Sequence, residues 1–446
     1  MTRMYSLPPR AAVACLALLA AAPSHARGPS PAPSEPEGEY RIVVEGYDWG
    51  AAVSRVILSL DETVTSADAN DYTVAVTRHT ECVALPPEQA SGDRRVGHAY
   101  VSDPNGAFVA EGRHVTLVLG VAPHSVLGAP LQYVVNDKCR GNVWVDYDFS
   151  VTDTERGRVW NRKTGRISPL VDRFDLSGKF VHEDGTALTY ASYAPDTARE
   201  KSPLLIWLHG GGEGGTDPSI PLLANRAANY ASDEIQVLFD GAYVLVPQTP
   251  GAWMHNRKGE MTRGAEDDVY NAALIALIRE YVATHPGVDP DRVFLGGCSN
   301  GGYMTLKLML LHPDDFAAGF ISSLAYGSEF ISDEQIRSIA HLPIWFVHSA
   351  DDTTTRPEQT VLPVYERLKA AGAQGVYLSY YDHVVDITGF FGGKDYRYPG
   401  HWSWIYLHAN LCRRDRDGNP VRLDGRPVTI MEWLAAQTKA NRMAQP

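Results

Sequence analysis

The second half of the chain alternates nearly continuous apolar runs with helical patterns, and this alternation limits the fold more than any other feature. Runs of this kind suit strands that are buried on both faces of a parallel sheet. Strand alternating with helix predicts a doubly wound α/β domain with a mostly parallel sheet, which we assign to residues 172–446. The runs are LLIWLHG (204–210), AYVLVPQ (242–248), DRVFLGG (291–297), FAAGFISS (316–323), LPIWFVHS (342–349) and GVYLSYY (375–381).

The region before this domain has short strands and no helical periodicity. About seven apolar and β-branched runs between residues 39 and 152 are separated by turn-rich pieces such as SADAND and SDPNG. Short strands at this spacing predict an all-β sandwich of immunoglobulin type over 39–152. Residues 153–171 are rich in arginine and poor in apolar side chains, so we predict that they form a linker to the α/β domain.

Residues 1–26 have the pattern of a secretory signal peptide. Arg3 and Arg10 precede the apolar stretch AAVACLALLAAA (11–22), and the tripeptide SHA then supplies a small-x-small cleavage site. The apolar stretch is too short to span a bilayer and no later segment approaches that length, so we expect a secreted or periplasmic protein without membrane insertion. Residues 27–38 are rich in Pro, Ser and Gly and are expected to form a flexible leader.

The net charge and the cysteines restrict the partners. A formal charge of −13 repels nucleic acid, so none is expected as a partner. Cys82 and Cys139 lie in the same N-terminal region, and an oxidising compartment allows a disulfide between them, although the sequence alone leaves that pairing open. No CxxC or Cys/His spacing indicates zinc, so neither a metal nor an organic cofactor is expected. Homo-oligomer formation is left open.

The pentapeptide GCSNG at 297–301 matches the pattern G-x-S-x-G and lies between a strand (RVFLGG) and a helical pattern (GGYMTLKLMLLH). A sharp turn from strand to helix lifts a serine hydroxyl above the edge of the sheet, and glycines flank it because side chains there would clash. This context predicts Ser299 as a catalytic nucleophile, whereas the pentapeptide alone is equally compatible with a plain turn.

A serine nucleophile needs a base and an acid, which follow it in that fold in the order serine, acid, histidine. Asp351 and Asp352 both follow the strand PIWFVHS, and either can supply the acid. His401 and His383 both fit the position of the base. Two further histidines, His348 and His408, fall inside a strand and a helix and are expected to be structural.

The transition state also needs donors for a developing oxyanion. The stretch WLHGGGE follows the first long buried strand, and its glycines free backbone N–H groups to point at negative charge. We predict an oxyanion hole from Asn300, the residue after the nucleophile, together with Gly211 or Gly212. No Lys-Ser/Thr pair follows the glycines, which excludes a P-loop.

The motifs LHGGGEGG, GGCSNGGYMT, HSADD and GHWSW, with the closing TIMEWL, resemble those of prolyl-oligopeptidase-like esterases of the α/β-hydrolase superfamily. The stretch EGYDWGAAVSRVILSLD (45–61) is similar to the opening of the immunoglobulin-like domain of secreted bacterial esterases. The resemblance spans most of residues 40–440. It implies Asp352 as the acid, four residues after the histidine of the strand end, and it favours His401 as the base. The usual ending Asp-x-x-Val-Pro is replaced here by DTTTRP.

These observations predict a secreted serine hydrolase that cleaves carboxylic esters through a Ser-His-Asp triad and an acyl-enzyme intermediate. A peptidase of prolyl-oligopeptidase type is the first alternative, and a non-catalytic binding protein on a hydrolase fold is the second. The substrate is expected to be a small-molecule or polymeric ester, with short acyl, plant-wall and polyester substrates all open. Trp253 and Tyr326, which follow strand ends, are candidates for the substrate pocket.

Overall fold

The computed structural model describes residues 38–196 and 200–443. The expected signal peptide (1–26), and all but the last residue of the expected leader (27–38), lie outside these residues. Within the described residues, no helix has both the length and the apolar character needed to cross a bilayer.

The N-terminal region is a sandwich of two β-sheets, which confirms the predicted fold class. Its strands are β1 (Glu39–Tyr47), β2 (Gly50–Val64), β3 (Tyr72–His79), β4 (Ser91–Arg94), β5 (Val96–Ser102), β6 (Gly112–Leu119), β7 (Leu131–Val135), β8 (Arg140–Trp144), β9 (Asp146–Asp153), β10 (Val159–Trp160) and β11 (Arg162–Ile167). One sheet has the order β11-β1-β2-β6-β5 and the other β10-β9-β3-β4, while β7 and β8 form a separate hairpin. Buried and exposed side chains alternate along β3 and β9, so one face of their sheet enters the core.

The stretch that we expected to be a linker, 153–171, carries two strands of this sandwich. Strand β10 pairs with β9, and β11 pairs in parallel with β1. Its arginines and lysine are compatible with a strand because β11 is the edge of its sheet and most of its side chains face solvent. The polar composition of this stretch is therefore that of an edge strand. Composition alone does not distinguish an exposed edge strand from a linker.

The C-terminal region is built on one large, mostly parallel sheet, as predicted. Its strands are β12 (Asp175–Val181), β13 (Ala187–Tyr193), β14 (Ser202–Leu208), β15 (Tyr243–Gln248), β16 (Val288–Cys298), β17 (Ala318–Ser322), β18 (Ile344–Ser349) and β19 (Val376–Tyr381). They lie in the order β12-β13-β15-β14-β16-β17-β18-β19. Strands β12 and β13 pair antiparallel and all later pairs except β13 with β15 are parallel. Every residue of β14, β17 and β18 is buried, which explains their unbroken apolar sequences.

Helices cover this sheet, and short hairpins extend the C-terminal region. The helices are α1 (Pro87–Ala90), which belongs to the sandwich, and α2 (Ser219–Ala224), α3 (Asp233–Phe239), α4 (Asn271–Thr284), α5 (Asn300–Leu311), α6 (Asp333–Ser338), α7 (Val361–Ala370), α8 (Trp404–His408), α9 (Ile430–Ala435) and α10 (Lys439–Met443). The hairpin strands are β20 (Val384–Val385), β21 (Arg397–Tyr398), β22 (Arg422–Leu423) and β23 (Arg426–Pro427).

The hairpin formed by β7 and β8 joins the sandwich to the α/β domain. Trp144 Nε1 donates to Asp217 Oδ2 at 2.8 Å across the boundary. At its turn, Cys139 forms a disulfide with Cys82, with the two Cα atoms 5.6 Å apart, so the pairing that the sequence left open is present. The hairpin is thus tied to its own sandwich at the turn and to the α/β domain at its far strand.

Candidate active site

Ser299 lies at the sharp turn between β16 and α5. Its backbone has φ 55° and ψ −117°, a region that L residues rarely occupy, and such strain is common where a side chain must be presented for function. The flanking glycines permit the turn because a Cβ on Gly297 would lie 2.6 Å from the carbonyl carbon of Gly301. A Cβ on Gly301 would clash with the carbonyl oxygen of Leu208. The small residues therefore allow backbone to pack against backbone on both sides of the serine.

A continuous chain of hydrogen bonds joins Ser299, His401 and Asp352. His401 Nε2 lies 2.9 Å from Ser299 Oγ, and His401 Nδ1 lies 2.9 Å from Asp352 Oδ2. A carboxylate can only accept, so Nδ1 carries the proton and Nε2 is left free to accept from the serine hydroxyl. The three side chains come from the ends of β16 and β18 and from the turn before α8, all at the carboxyl edge of the sheet.

Asp352 is buried and its oxygens are surrounded by donors. The backbone N–H groups of Thr354 and Thr355 donate to Oδ1 at 2.8 and 2.9 Å, and Thr355 Oγ1 donates to Oδ2 at 2.7 Å. His348 Nε2 lies 3.1 Å from Oδ2. Burial alone raises the pKa of Asp352, but the hydrogen bonds with His348 and His401 outweigh it and hold the pKa well below its usual range. Asp352 is therefore ionised.

The two rival residues of the sequence analysis form a separate pair. His383 Nδ1 lies 2.8 Å from Asp351 Oδ2, and both side chains are about one-third exposed, at 34% and 36%. Asp351 also accepts from Ser349 Oγ at 3.0 Å, and the same hydroxyl contacts the Gly400 carbonyl at 2.6 Å. This second pair supports the turn that carries His401 but does not reach Ser299.

His408 is buried between aromatic rings, at 4.7 Å from Trp207 and 5.2 Å from Tyr230 between ring centroids. Burial lowers the pKa of His408 to about 3, so it is a neutral core residue. His348 is equally buried, but it contacts Asp352 directly. It therefore belongs to the candidate site, although the sequence analysis expected only a structural role for it.

The glycine loop after β14, residues 209–215, is held mainly through its carbonyl groups. The His209 carbonyl accepts from Trp253 Nε1 at 3.0 Å, and the Gly212 carbonyl accepts from Asn142 N at 2.6 Å. The Glu213 carbonyl accepts from Gln248 Nε2 at 2.9 Å. With these carbonyls bound outward, the N–H groups of Gly211 and Gly212 are left available to the cavity.

Of the two predicted loop donors, Gly211 lies nearer the first turn of α5. A Cβ on Gly211 would lie 3.9 Å from Cβ of Asn300, whereas one on Gly212 would lie 3.0 Å from the ring of Tyr133 in the sandwich. Among the described residues, no hydrogen bond occupies the N–H group of Gly211, Gly212 or Asn300. The loop and the first turn of α5 therefore face the serine together.

A cavity of about 790 Å³ opens above Ser299 and is walled by both domains. The α/β domain contributes Trp402 and Trp404, and the sandwich contributes Trp49, Tyr133 and other residues of its loops. The sequence left open whether the sandwich packs beside the mouth of the site, and it named none of these sandwich residues, because residues from 49 to 142 are distant in sequence from every predicted catalytic motif. Aromatic side chains from both domains thus line the cavity together with charged and polar residues such as Arg140 and Glu213.

The two predicted pocket residues, Trp253 and Tyr326, do not line this cavity. Both are fully buried, with relative exposures of 0%. Trp253 instead supports the glycine loop through its indole and donates its backbone N–H to Asn300 Oδ1 at 2.6 Å. Tyr326 packs on Tyr303 in the core, with ring centroids 4.6 Å apart. An aromatic residue after a strand end is as well satisfied in the core as in a pocket, and here both occupy the core.

The sequence of the loop also contains a residue to which no role was given, Glu213. Its side chain is buried beside the nucleophile, and Asn142 Nδ2 of the sandwich donates to its Oε1 at 3.0 Å. Burial raises the pKa of Glu213 to about 7, against the opposing effect of its hydrogen bonds with Asn142 and the Gly210 N–H. A glutamate inside the motif LHGGGEGG could have been noticed in the sequence. Its partner Asn142 could not, because it lies 71 residues earlier in the chain.

Two family models match the chain. Residues 39–164 match the esterase Ig-like N-terminal domain, and residues 234–327 match the prolyl oligopeptidase family. An esterase immunoglobulin-like domain thus matches the sandwich, and the prolyl oligopeptidase family matches part of the α/β domain, which agrees with the resemblance stated from the motifs.

Several curated proteins and solved structures are similar to this chain. Feruloyl esterase B from Neurospora crassa is 30% identical over 134 residues, which are 30% of this chain and 43% of that protein. A probable carboxylesterase from Oryza sativa subsp. japonica is 30% identical over 37% of this chain and 64% of its own length. A thermostable esterase of known structure has a TM-score of 0.69 at 21% identity and covers 90% of this chain and 99% of its own, which shows a shared fold. The chain spans less than half the length of the Neurospora relative, and the names of these proteins agree with the predicted class of enzyme, carboxylic ester hydrolases.

Proposed function

We propose that this protein is a serine hydrolase of carboxylic esters that uses Ser299, His401 and Asp352 as its triad. The observation that carries the proposal is the unbroken set of hydrogen bonds from Ser299 Oγ to His401 and on to the ionised Asp352. This arrangement lets a weak nucleophile lose its proton as it attacks, and the fixed carboxylate stabilises the imidazolium that forms.

In the proposed reaction, Ser299 Oγ forms a bond to the ester carbonyl carbon while its proton passes to His401 Nε2. The tetrahedral intermediate collapses when the bond to the alkoxy oxygen breaks and His401 returns the proton to the leaving alcohol. Water then attacks the acyl-enzyme with His401 again as base, releasing the acid and Ser299. The oxyanion is bound by the N–H groups of Asn300 and Gly211, because these two residues are neighbours beside Ser299 and neither N–H group has another hydrogen-bond partner among the described residues.

The direct test replaces the nucleophile. We expect Ser299→Ala to abolish turnover of p-nitrophenyl acetate and labelling by a fluorophosphonate probe, with an unchanged circular dichroism spectrum. Ser177→Ala, which changes an exposed serine of the same domain, is the matched control and should keep full activity. Turnover by Ser299→Ala at the wild-type rate would reject the proposed nucleophile.

Amide hydrolysis is the second candidate, and the match of residues 234–327 to the prolyl oligopeptidase family favours it. The triad alone does not separate the two reactions. Rates on proline p-nitroanilide peptides measured beside those on p-nitrophenyl esters decide between them, and we expect the esters to be cleaved and the peptides not.

For the substrate, we propose esters with an aromatic acyl group. The cavity offers the rings of Trp49, Tyr133, Trp402 and Trp404, which suit a planar ring, and two of the similar proteins are named feruloyl esterase B. A panel of methyl ferulate, methyl esters of graded aliphatic acyl length and a short aliphatic polyester tests this. The small esters then share one leaving alcohol, and we expect the highest kcat/KM for methyl ferulate.

We also propose that the protein is exported. The pattern of residues 1–26 supports this, and so does the disulfide between Cys82 and Cys139, since such bonds persist in oxidising compartments. Fractionation of the expressing cell, with detection of a shortened N-terminus outside the cytoplasm, is the corresponding experiment.

A further inference from the structure

The sandwich places one asparagine against the glycine loop. Asn142 N donates to the Gly212 carbonyl at 2.6 Å, and Asn142 Nδ2 lies 3.2 Å from the same oxygen and 3.0 Å from Glu213 Oε1. The preceding residue, Gly141, has φ +96°, and a Cβ there would lie 2.5 Å from the Gly212 oxygen. The close approach of β8 to the loop therefore requires the glycine and the asparagine together.

Glu213 completes this contact from the side of the α/β domain. Its carboxyl receives Asn142 Nδ2 and lies within hydrogen-bonding reach of the Gly210 N–H. A Cβ built on Gly210 would lie 2.9 Å from Glu213 Oε2 and 3.7 Å from Cβ of Ser299, so the carboxyl is close behind the nucleophile. It makes no contact with the triad, and the proposed reaction gives it no role.

The strand that carries Asn142 is firmly anchored. The turn of its hairpin is closed by the disulfide of Cys139, and Asn136 Nδ2 donates to the Cys82 carbonyl at 2.9 Å. The buried guanidinium of Arg78 holds the start of the hairpin by donating to the Ala129 carbonyl at 3.0 Å. A rigid support is what a positioning group needs, because small displacements of catalytic donors cost rate.

We propose that Asn142 and Glu213 form an interdomain positioning pair that holds the glycine loop with its N–H groups directed at the oxyanion. The inference rests on the proposed function, and it makes the immunoglobulin-like sandwich a working part of the active site. Asn142 fixes the Gly212 carbonyl and the carboxyl of Glu213, and Glu213 in turn fixes the N–H of Gly210, so the N–H of Gly211 between them is oriented from both sides.

The protonation of Glu213 gives the pair a distinctive signature. Because burial raises its pKa to about 7, Glu213 is neutral in mildly acidic solution and ionised above neutrality. An ionised carboxyl behind the loop opposes the negative charge that the loop must stabilise. Of the titratable groups next to the loop, His209 and Cys298 are both neutral, because burial lowers the pKa of His209 to about 4 and raises that of Cys298. The other titratable or charged groups that share the cavity wall with Glu213 are His401 and, from the sandwich, Asp48, Arg78, Tyr133 and Arg140.

The first experiment compares Asn142→Ala with wild type in the full-length protein on p-nitrophenyl acetate. We expect kcat to fall about tenfold or more, with KM changed less than about twofold, because the loop donors act mainly in the transition state. The matched control is Trp144→Phe, which removes the interdomain hydrogen bond to Asp217 two residues further along β8. Trp144→Phe should keep kcat within about twofold, because a weakened contact between the domains is not by itself expected to cause the loss seen in Asn142→Ala.

The second experiment uses Glu213→Gln, which cannot ionise. We expect the ratio of kcat for Glu213→Gln to kcat for wild type to rise about threefold or more between about pH 6 and about pH 9, because only the wild type acquires the charge. Taking the ratio removes any pH dependence that both proteins share. Melting temperatures check that each variant is folded during the assay.

Three outcomes decide the matter. Wild-type kcat in Asn142→Ala, or an equal loss in Trp144→Phe, overturns the positioning pair while leaving the esterase intact. A flat kcat ratio for Glu213→Gln overturns the role of the carboxyl. A wild-type protein that cleaves no ester and takes up no fluorophosphonate overturns the proposed function and this inference with it.

Discussion

The two halves of the candidate site are built in different ways. The proton-transfer half, Ser299, His401 and Asp352, lies wholly in the α/β domain, where the three side chains bond to one another and Asp352 accepts from the nearby Thr355. The oxyanion half, the loop 209–215, takes its supports from separate parts of the chain, including Asn142 of the sandwich. The first half can therefore form within one domain, whereas the geometry of the second depends on how two domains dock.

The largest effect is expected from breaking the proton-transfer half. Asp352→Asn keeps the volume of the side chain but replaces an obligate acceptor with an amide, so His401 is no longer held in the tautomer that accepts from Ser299. We expect kcat to fall about 10³- to 10⁴-fold, as in triads with intact geometry and the wrong tautomer. Steady-state kinetics on an aryl ester measure this, and a loss under about tenfold would contradict the assigned acid.

Removing the sandwich breaks the other half and leaves the triad in place. A chain that starts near Asp172 loses Asn142 and the ion pair between Asp48 and Arg226, in which the nitrogen and oxygen are 2.7 Å apart. We expect kcat to fall about 10- to 100-fold, and solubility and melting temperature to drop as apolar interface is exposed. Full activity on every ester, with an unchanged melting temperature, would instead mean that the sandwich is an independent appendage.

A smaller effect is expected on stability, and it depends on the ionisation of Glu213. The pKa of Glu213 is raised from 4.5 to about 7 in the folded protein, so its contribution to stability is fully present below about pH 4.5 and is lost as the pH rises through 7. Glu213→Gln escapes this loss. Its free energy of unfolding relative to wild type should rise by about 2 kcal/mol between about pH 5 and about pH 9. Urea unfolding at both pH values measures the change, and an equal difference at the two would reject a buried, titrating Glu213.

The sequence was informative wherever function and local structure coincide. Ser299, Asp352 and His401 each follow a buried strand or a tight turn, so the topology of a parallel sheet brings them to one edge. The choice between Asp351 and Asp352 was not available from the residues themselves, because adjacent positions in a turn differ only in the direction of their side chains. The resemblance to a family supplied that choice, and the structure directs Asp352 inward and Asp351 outward.

What the sequence missed depends on contacts between distant segments. The pairing of Asn142 with Glu213 joins residues 71 positions apart, in domains that no local pattern relates. The strands in 153–171 were missed for the same reason, because neighbouring elements decide whether a polar stretch becomes an edge strand. Neighbouring elements also decide whether an aromatic side chain such as Trp253 or Tyr326 enters the core. Local patterns thus located the candidate triad, and tertiary packing determined its surroundings.

The smallest effect is expected from the pair that the sequence could not separate from the triad. Asp351→Asn keeps an oxygen for Ser349 and an amide beside His383, and the pair is partly exposed, so little free energy is at stake. Because Asp351 supports the turn of His401 without touching it, we expect kcat to change less than about threefold and KM not at all. Asp352→Asn measured in the same assay is the matched comparison. If Asp351→Asn lost activity as severely as Asp352→Asn, the proton-transfer half would extend to His383, and its description as a single self-supporting triad would be wrong.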